Sequence, residues 1–259
     1  MDNLLLKLSK IQRKLYSVVN PPDPKLSPVS DLFPWFNIHN IQTYYQLFDH
    51  NFAHDPTSDS LSCFILILFS SQGELLSSVP ITLASPTELI CINEFIPKGI
   101  SGYGTFSIFN LKPNTFADFN SSVSERGYVS YSWGESPLRS SAHGNLDAVA
   151  YTQDNIIQPL GSRTFYSGTY SPQFIFDSDN INYLFLVNPT KHPIHYAVSI
   201  ISGELPPAFI SIRLKTLGSS FVPIPPVSSS YRIALKSRLY FQRPLIFSFS
   251  STSLNVFHA

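Results

Sequence analysis

From about residue 60 onward, the sequence consists of short apolar runs separated by residues that favour turns. Typical runs are "CFILILFS", "IHYAVSII" and "PLIFSFS", which are rich in Ile, Val and Phe. Pro, Gly, Ser and Asn stand between the runs, and the whole chain contains 21 Pro. β-branched and aromatic residues favour strands, and a proline interrupts a helix. The pattern therefore predicts an all-β fold of short antiparallel strands.

Two strand-rich stretches of the chain resemble each other in strand order and loop length. Aligning them pairs residues that lie far apart in sequence: Phe64 with Tyr183, Ile90 with Ile210, Arg126 with Arg243 and His143 with His258. Duplicated β-modules can pack together and cover strand edges that would otherwise be exposed. We therefore expect two tandem, duplicated antiparallel β-sandwich modules of jelly-roll type, at residues 60–150 and 151–259.

Residues 1–20 have the periodicity of an amphipathic helix. Apolar residues recur at steps of three and four, at Leu4, Leu8, Ile11, Leu15 and Val18. Pro21 and Pro22 end this segment, and residues 21–59 are predicted to form a proline-rich arm or linker. Three roles stay open for the basic helix, which are packing on the protein body, contact between subunits and binding to an anionic membrane surface.

The composition limits the classes of partner and location. Charged residues make up 13% of the chain against 43% hydrophobic residues, so apolar sheet faces must be covered within the chain or by another subunit. We expect a homo-oligomer formed through the N-terminal helix and the apolar sheet faces. The 17 basic and 17 acidic residues balance, which argues against a nucleic-acid partner. Neither a signal peptide nor a transmembrane segment is recognisable, so a cytoplasmic location is predicted, with Cys63 and Cys91 as buried free thiols.

The stretch "SAHGN" contains the strongest candidate for catalysis. His143 precedes Gly144, whose backbone can adopt unusual angles. Asn145 and Asp147 follow, and either side chain could orient the imidazole. The sequence therefore offers His143 and Asp147 as catalytic candidates. The alternative is a structural histidine at the end of a module, which the matching position of His258 favours.

A ligand site is predicted near the same stretch. Arg126 could clamp a carboxylate or phosphate, and Trp133 could stack on a sugar ring. Together with His143 and Asn145, these residues form the predicted ligand-binding surface, and carbohydrate is one candidate ligand. The alternatives are that Arg126 stacks on aromatic neighbours and that Trp133 packs in the core.

A metal site has only weak support in the sequence. His50 and His54 are four residues apart in "HNFAH" and would share one face of a helix. The stretch lacks the glutamate of the common zinc-hydrolase helix, so exposed loop histidines are the alternative. The sequence contains no phosphate loop or other cofactor motif, and we predict neither a metal nor a cofactor.

Three functional hypotheses follow from these features. The favoured one is a non-catalytic binding or assembly protein that is oligomeric and associated with a glycan. The second is an enzyme that acts on a sugar or another polar small substrate, with His143 as general base or metal ligand. The third is a coat-type structural subunit built from duplicated β-modules.

Overall fold

A computed structural model describes most of the chain as strands. It describes residues 28–49, 62–111, 124–125, 127–144, 148–152, 154–171, 176, 179–202, 208–224, 231–240 and 243–258. These parts of the chain contain 20 strands and a short 3-10 helix, Ile92–Phe95, but no α-helix. The predicted all-β class is confirmed. The predicted N-terminal helix lies outside the described residues.

The first ten strands run from residue 29 to residue 143. They are β1 (Val29–Ser30), β2 (Phe33–Asn37), β3 (Ile41–Phe48), β4 (Cys63–Ser70), β5 (Leu75–Thr82), β6 (Thr87–Cys91), β7 (Gly102–Asn110), β8 (Ser124–Glu125), β9 (Tyr128–Trp133) and β10 (Arg139–His143). Buried and exposed residues alternate along β3, as expected for a strand with one face on the core.

The other ten strands run from residue 149 to residue 258. They are β11 (Val149–Tyr151), β12 (Ile157–Pro159), β13 (Arg163–Tyr170), β14 (Ile181–Val187), β15 (Ile194–Ser202), β16 (Ala208–Leu214), β17 (Ser219–Ile224), β18 (Tyr231–Leu239), β19 (Leu245–Phe249) and β20 (Leu254–His258). In β18 every second residue is buried, so its charged residues Arg232, Lys236 and Arg238 lie together on one exposed face.

The strands form five sheets of four strands each. Sheet 1 has the order β2-β7-β4-β5, and sheet 2 has the order β10-β9-β3-β6. Sheet 3 has the order β13-β18-β15-β16, and sheet 4 has the order β17-β14-β19-β20. Sheet 5 is made of short strands in the order β12-β11-β1-β8. All pairings are antiparallel except that of β1 with β8.

Sheets 1 and 2 repeat the strand order of sheets 3 and 4. If β13 to β18 are matched with β2 to β7, and β19 and β20 with β9 and β10, the two halves have the same connectivity. The shared connectivity of the two halves supports the predicted internal duplication. It also corrects the alignment, because Phe64 lies on β4 whereas Tyr183 lies on β14, the counterpart of β3. The pairing of His143 with His258 is consistent with the matched strands.

The predicted jelly-roll sandwiches are wrong. In a jelly roll, the first and last strands of a module are neighbours in one sheet. Here β2 pairs with β7 in sheet 1, whereas β10 pairs with β9 in sheet 2. In the number and size of its sheets, the fold instead resembles a five-bladed β-propeller.

The segment predicted as an arm contains strands of the core. Within residues 21–59, β2 and β3 contribute buried residues to the core of the first half, and β2 contains a proline. Prolines occur in four strands, at Pro34, Pro80, Pro159 and Pro223. All four strands lie at sheet edges, where a missing N–H breaks no ladder on the outer side. Pro34, the one proline of residues 21–59 that the structure describes within a strand, therefore lies in an edge strand rather than in an arm.

Sheet 4 is buried on both faces and joins the two halves. Leu184 and Ile246 face a core shared with sheet 3, whereas Phe185 and Phe247 face the core of the first half. The ring of Phe36 lies 4.9 Å from that of Phe247 and is completely buried. Aromatic rings therefore take part in the contact between the halves.

The described residues also bear on the predictions about membrane-spanning segments and about the two cysteines. No helix among them has the length and apolar character needed to span a membrane. Both cysteines are free, as predicted, but Cys63 is exposed rather than buried and Cys91 is half-buried. Burial raises the pKa of the Cys91 thiol.

Candidate functional site

Most of the predicted site residues lie outside the described part of the chain. These residues are Arg126, Asn145, Asp147, His50 and His54. Their predicted roles in ligand binding, catalysis and metal binding stay predictions. Among the described residues, no three His, Cys, Asp or Glu side chains come close enough together to hold a metal ion.

The structure separates the two predicted site residues that it describes. His143 is paired with Tyr128 at the beginning of β9, and Trp133 is at the end of the same strand. Five residues of extended strand separate these positions, which corresponds to about 17 Å. Trp133 packs against Phe249, with ring centroids 5.4 Å apart. The two side chains therefore do not line one pocket, and Trp133 has the core position given as its alternative.

His143 contacts its counterpart from the other half of the chain. The rings of His143 and His258 have centroids 4.3 Å apart, and Nε2 of His258 lies 2.5 Å from the carbonyl oxygen of His143. Burial, together with the neighbouring charges of His143 and Arg243, lowers the pKa of His258 from 6.5 to about 4. The contact places these histidines at the junction of β10 and β20, as expected for a structural role.

Gly144 is required there for a different reason from the one predicted. Its backbone does not have a positive φ angle, so conformational freedom is not what a glycine supplies. A Cβ atom at this position would lie 2.3 Å from the Cβ of Asp31. Gly144 therefore permits the close approach of the segment after β10 to Asp31.

A basic concavity lies on the exposed face of sheet 3. It has a volume of about 510 Å³, within the roughly 300–1,000 Å³ of small-molecule sites. Each of the four strands contributes at least one basic side chain, and these are Arg163, His195, Arg213, Lys236 and Arg238. We call this set of residues and the space between them the basic pocket.

The strand register explains why these side chains meet. His195 on β15 is directly opposite Arg213 on β16, and Ala197 is opposite Lys236 on β18. Arg238 follows Lys236 by two residues and lies on the same face. The small side chain of Ala197 lies between longer neighbours and leaves the space that they surround.

The positive charge of the pocket is not neutralised by the described residues. None of them places a carboxylate within ion-pair distance of Arg163, Arg213 or Lys236. Arg238 donates from Nε to the backbone oxygen of Thr164, and His195 contacts the hydroxyl of Ser211 at 2.7 Å. Three cationic groups are therefore available to an anionic ligand, and Arg238 keeps its terminal nitrogens available too.

The basic pocket was missed in the sequence because its residues are far apart along the chain. Only "ALKSRL" gives a local signal, in which Lys236 and Arg238 alternate with apolar residues and so share one strand face. The net charge of the whole chain is zero, so it gave no indication of this local cluster of basic residues. The local excess of positive charge weakens the argument from charge against a nucleic-acid partner.

Comparison with models of protein families, with curated protein sequences and with solved structures finds no match for this chain.

Proposed function

We propose that this chain is a non-catalytic binding protein and that the basic pocket holds a small ligand bearing phosphate or sulfate groups. The observation that carries the proposal is the convergence of basic side chains from four strands without a neutralising carboxylate among the described residues. Like charges brought together repel each other, so an anion that binds between them relieves that repulsion. Arg side chains also bind phosphate and sulfate oxygens in bidentate geometry.

The comparison between the two halves supports the same proposal. Sheet 1 is the counterpart of sheet 3, yet none of its four strands contains a charged residue. A shared framework therefore carries the basic cluster in one copy only. A purely structural need for these charges would apply to both copies, so the difference favours a ligand-binding role for the second half.

Other functions and properties expected from the sequence stay predictions. Oligomer formation, a carbohydrate ligand, a coat role and a cytoplasmic location are part of the proposal only as expectations from the sequence. The alternative of an enzyme that uses His143 also stays a prediction, with Asp147 outside the described residues. A sulfated sugar would combine the predicted glycan with the basic pocket, and the experiment below includes one.

Calorimetric titration tests the proposal directly. The wild-type protein is titrated with inorganic tripolyphosphate, with a sulfated disaccharide and with neutral maltose. We expect at least one of the two anions to bind, with an affinity that falls as salt is added, and maltose not to bind. If neither anion binds, the proposal is wrong. Preference for one anion identifies the source of the charged group.

Matched variants locate the site. Arg213→Gln combined with Lys236→Gln removes two charges from the pocket, and about 1.5–3 kcal/mol per lost charged hydrogen bond predicts at least tenfold weaker binding. Arg232→Gln removes one exposed charge from the same face of β18 outside the pocket, and it should change affinity little. An equal effect of the two changes would indicate non-specific attraction and contradict the proposal.

A further inference from the structure

A bulge in β13 lies at the rim of the basic pocket. Arg163 is opposite Leu239, and the next paired residue, Gly168, is opposite Ser237. Between these two pairs, β13 runs for five residues while β18 runs for two. Residues 164–167 of β13 are therefore not paired with residues of β18. Bulges of this kind redirect side chains away from the plane of the sheet.

Hydrogen bonds hold the bulge in place. The hydroxyl of Thr164 lies 2.5 Å from the carbonyl oxygen of Tyr166 and 3.1 Å from that of Arg238. In return, Nε of Arg238 donates to the carbonyl oxygen of Thr164 at 3.0 Å. A pocket arginine therefore fixes the segment that borders the pocket, and the two features form one unit.

The bulge presents two aromatic rings to solvent. Phe165 is 84% exposed and Tyr166 is 86% exposed, and neither ring contacts another ring among the described residues. Arg163, two residues before Phe165, and Ser167, directly after Tyr166, both line the basic pocket. The rings therefore lie two and three residues after Arg163 along the chain, at the β13 edge of sheet 3.

Flat apolar rings beside a cluster of cations match the two chemical parts of a nucleotide. Nucleobases stack on exposed aromatic side chains, and basic side chains bind the phosphates. We infer that the ligand of the basic pocket is a nucleoside polyphosphate whose base stacks on Phe165 or Tyr166 while its phosphates contact Arg163, Arg213 and Lys236. This inference rests on the proposed binding of anions by the same pocket.

Titrations with related ligands separate the inference from the proposed function. ATP, tripolyphosphate and adenosine are titrated in the presence of EDTA, so that divalent cations do not neutralise the phosphates. ATP should bind about tenfold more tightly than tripolyphosphate, because only ATP gains the stacking contact. Adenosine should bind weakly, because it lacks the phosphates.

Two sets of variants identify the stacking surface. Phe165→Ser combined with Tyr166→Ser should lower the affinity for ATP to that for tripolyphosphate and leave the affinity for tripolyphosphate unchanged. Phe209→Ser is the matched control, because Phe209 is 74% exposed on β16 of the same sheet and does not line the pocket. It should change neither affinity. Circular dichroism confirms that each variant is folded.

Each contrary result has a distinct meaning. If tripolyphosphate binds and ATP binds no more tightly, the nucleotide inference is wrong and the proposed anion binding stands. The nucleotide inference is also wrong if the Phe165→Ser, Tyr166→Ser double variant still binds ATP more tightly than tripolyphosphate. A sulfated disaccharide that loses affinity in the double variant, while ATP shows no advantage, would identify an anionic sugar and overturn the inference. If only the sulfated disaccharide binds, the nucleotide inference is wrong and the proposed anion binding stands. If tripolyphosphate, ATP and the sulfated disaccharide all fail to bind, both proposals are wrong.

Discussion

His258 should make the stability of the fold sensitive to acid. Its Nε2 lies within hydrogen-bond distance of the carbonyl oxygen of His143, so Nε2 carries the proton in the neutral ring. Its Nδ1 is buried without a hydrogen-bond partner among the described residues. A second proton would have to be added at Nδ1, next to the charges of His143 and Arg243. These conditions lower the pKa of His258 from 6.5 to about 4.

The direction and size of the effect follow from the two pKa values. The folded state binds this proton less readily than the unfolded state, so the stabilisation is complete above pH 6.5 and is lost as the pH falls to 4. The difference between the two pKa values corresponds to about 3 kcal/mol for a fully buried ring. His258 is only partly buried, and screening by solvent reduces the expected loss to about 1–2 kcal/mol.

Urea denaturation between pH 7.5 and pH 4 measures this loss. His258→Gln keeps a donor for the carbonyl oxygen of His143 and does not titrate, so its free energy of unfolding should fall with pH by about 1–2 kcal/mol less than that of the wild type. His192→Gln removes an exposed histidine and should behave as the wild type does. If His258→Gln shows the same pH dependence as the wild type, the reasoning about Nδ1 is refuted.

Two further predictions concern the packing of the halves, and urea denaturation measures both. Phe36→Ala should lower the free energy of unfolding by about 3–5 kcal/mol, because the ring is fully buried between the two halves, whereas the exposed Phe209→Ala should change it little. A loss below about 1 kcal/mol for Phe36→Ala would show that this contact is not needed. Gly144→Ala should destabilise by about 1–3 kcal/mol, since its Cβ would overlap Asp31, whereas Gly168→Ala meets open space and should have little effect. Equal effects of the two glycine changes would contradict the close-approach argument.

The strands were predictable from the sequence because their signal is local. Runs such as "CFILILFS" and "PLIFSFS" became β4 and β19. Strand pairing is not local, since every apolar strand has the same alternation and several partners fit its face. This is why the alignment joined Phe64 with Tyr183, which lie on strands that are not counterparts. It is also why the strand order, and with it the jelly-roll prediction, was wrong.

The candidate site was less predictable than the strands. Histidine, glycine and asparagine in "SAHGN" drew attention because they are adjacent in sequence, whereas the basic pocket is assembled from strands up to 75 residues apart, as between Arg163 and Arg238. Sequence alternation can place Lys236 and Arg238 on one face, but only the sheet order brings Arg213 and His195 beside them. A site across four strands has no contiguous signature.

A contact between equivalent residues gives the duplication its structural meaning. His143 contacts its equivalent His258, and Ser140 bonds to the backbone of Val256, next to its own equivalent Asn255, at sequence separations of 115 and 116. In a twofold-symmetric interface, the residues nearest the axis contact their own equivalents. The contact of His143 with His258 at the junction of β10 and β20 is of this kind, but it lies within one chain. Sheet 3 takes no part in this contact, and it carries a charge cluster that sheet 1 lacks.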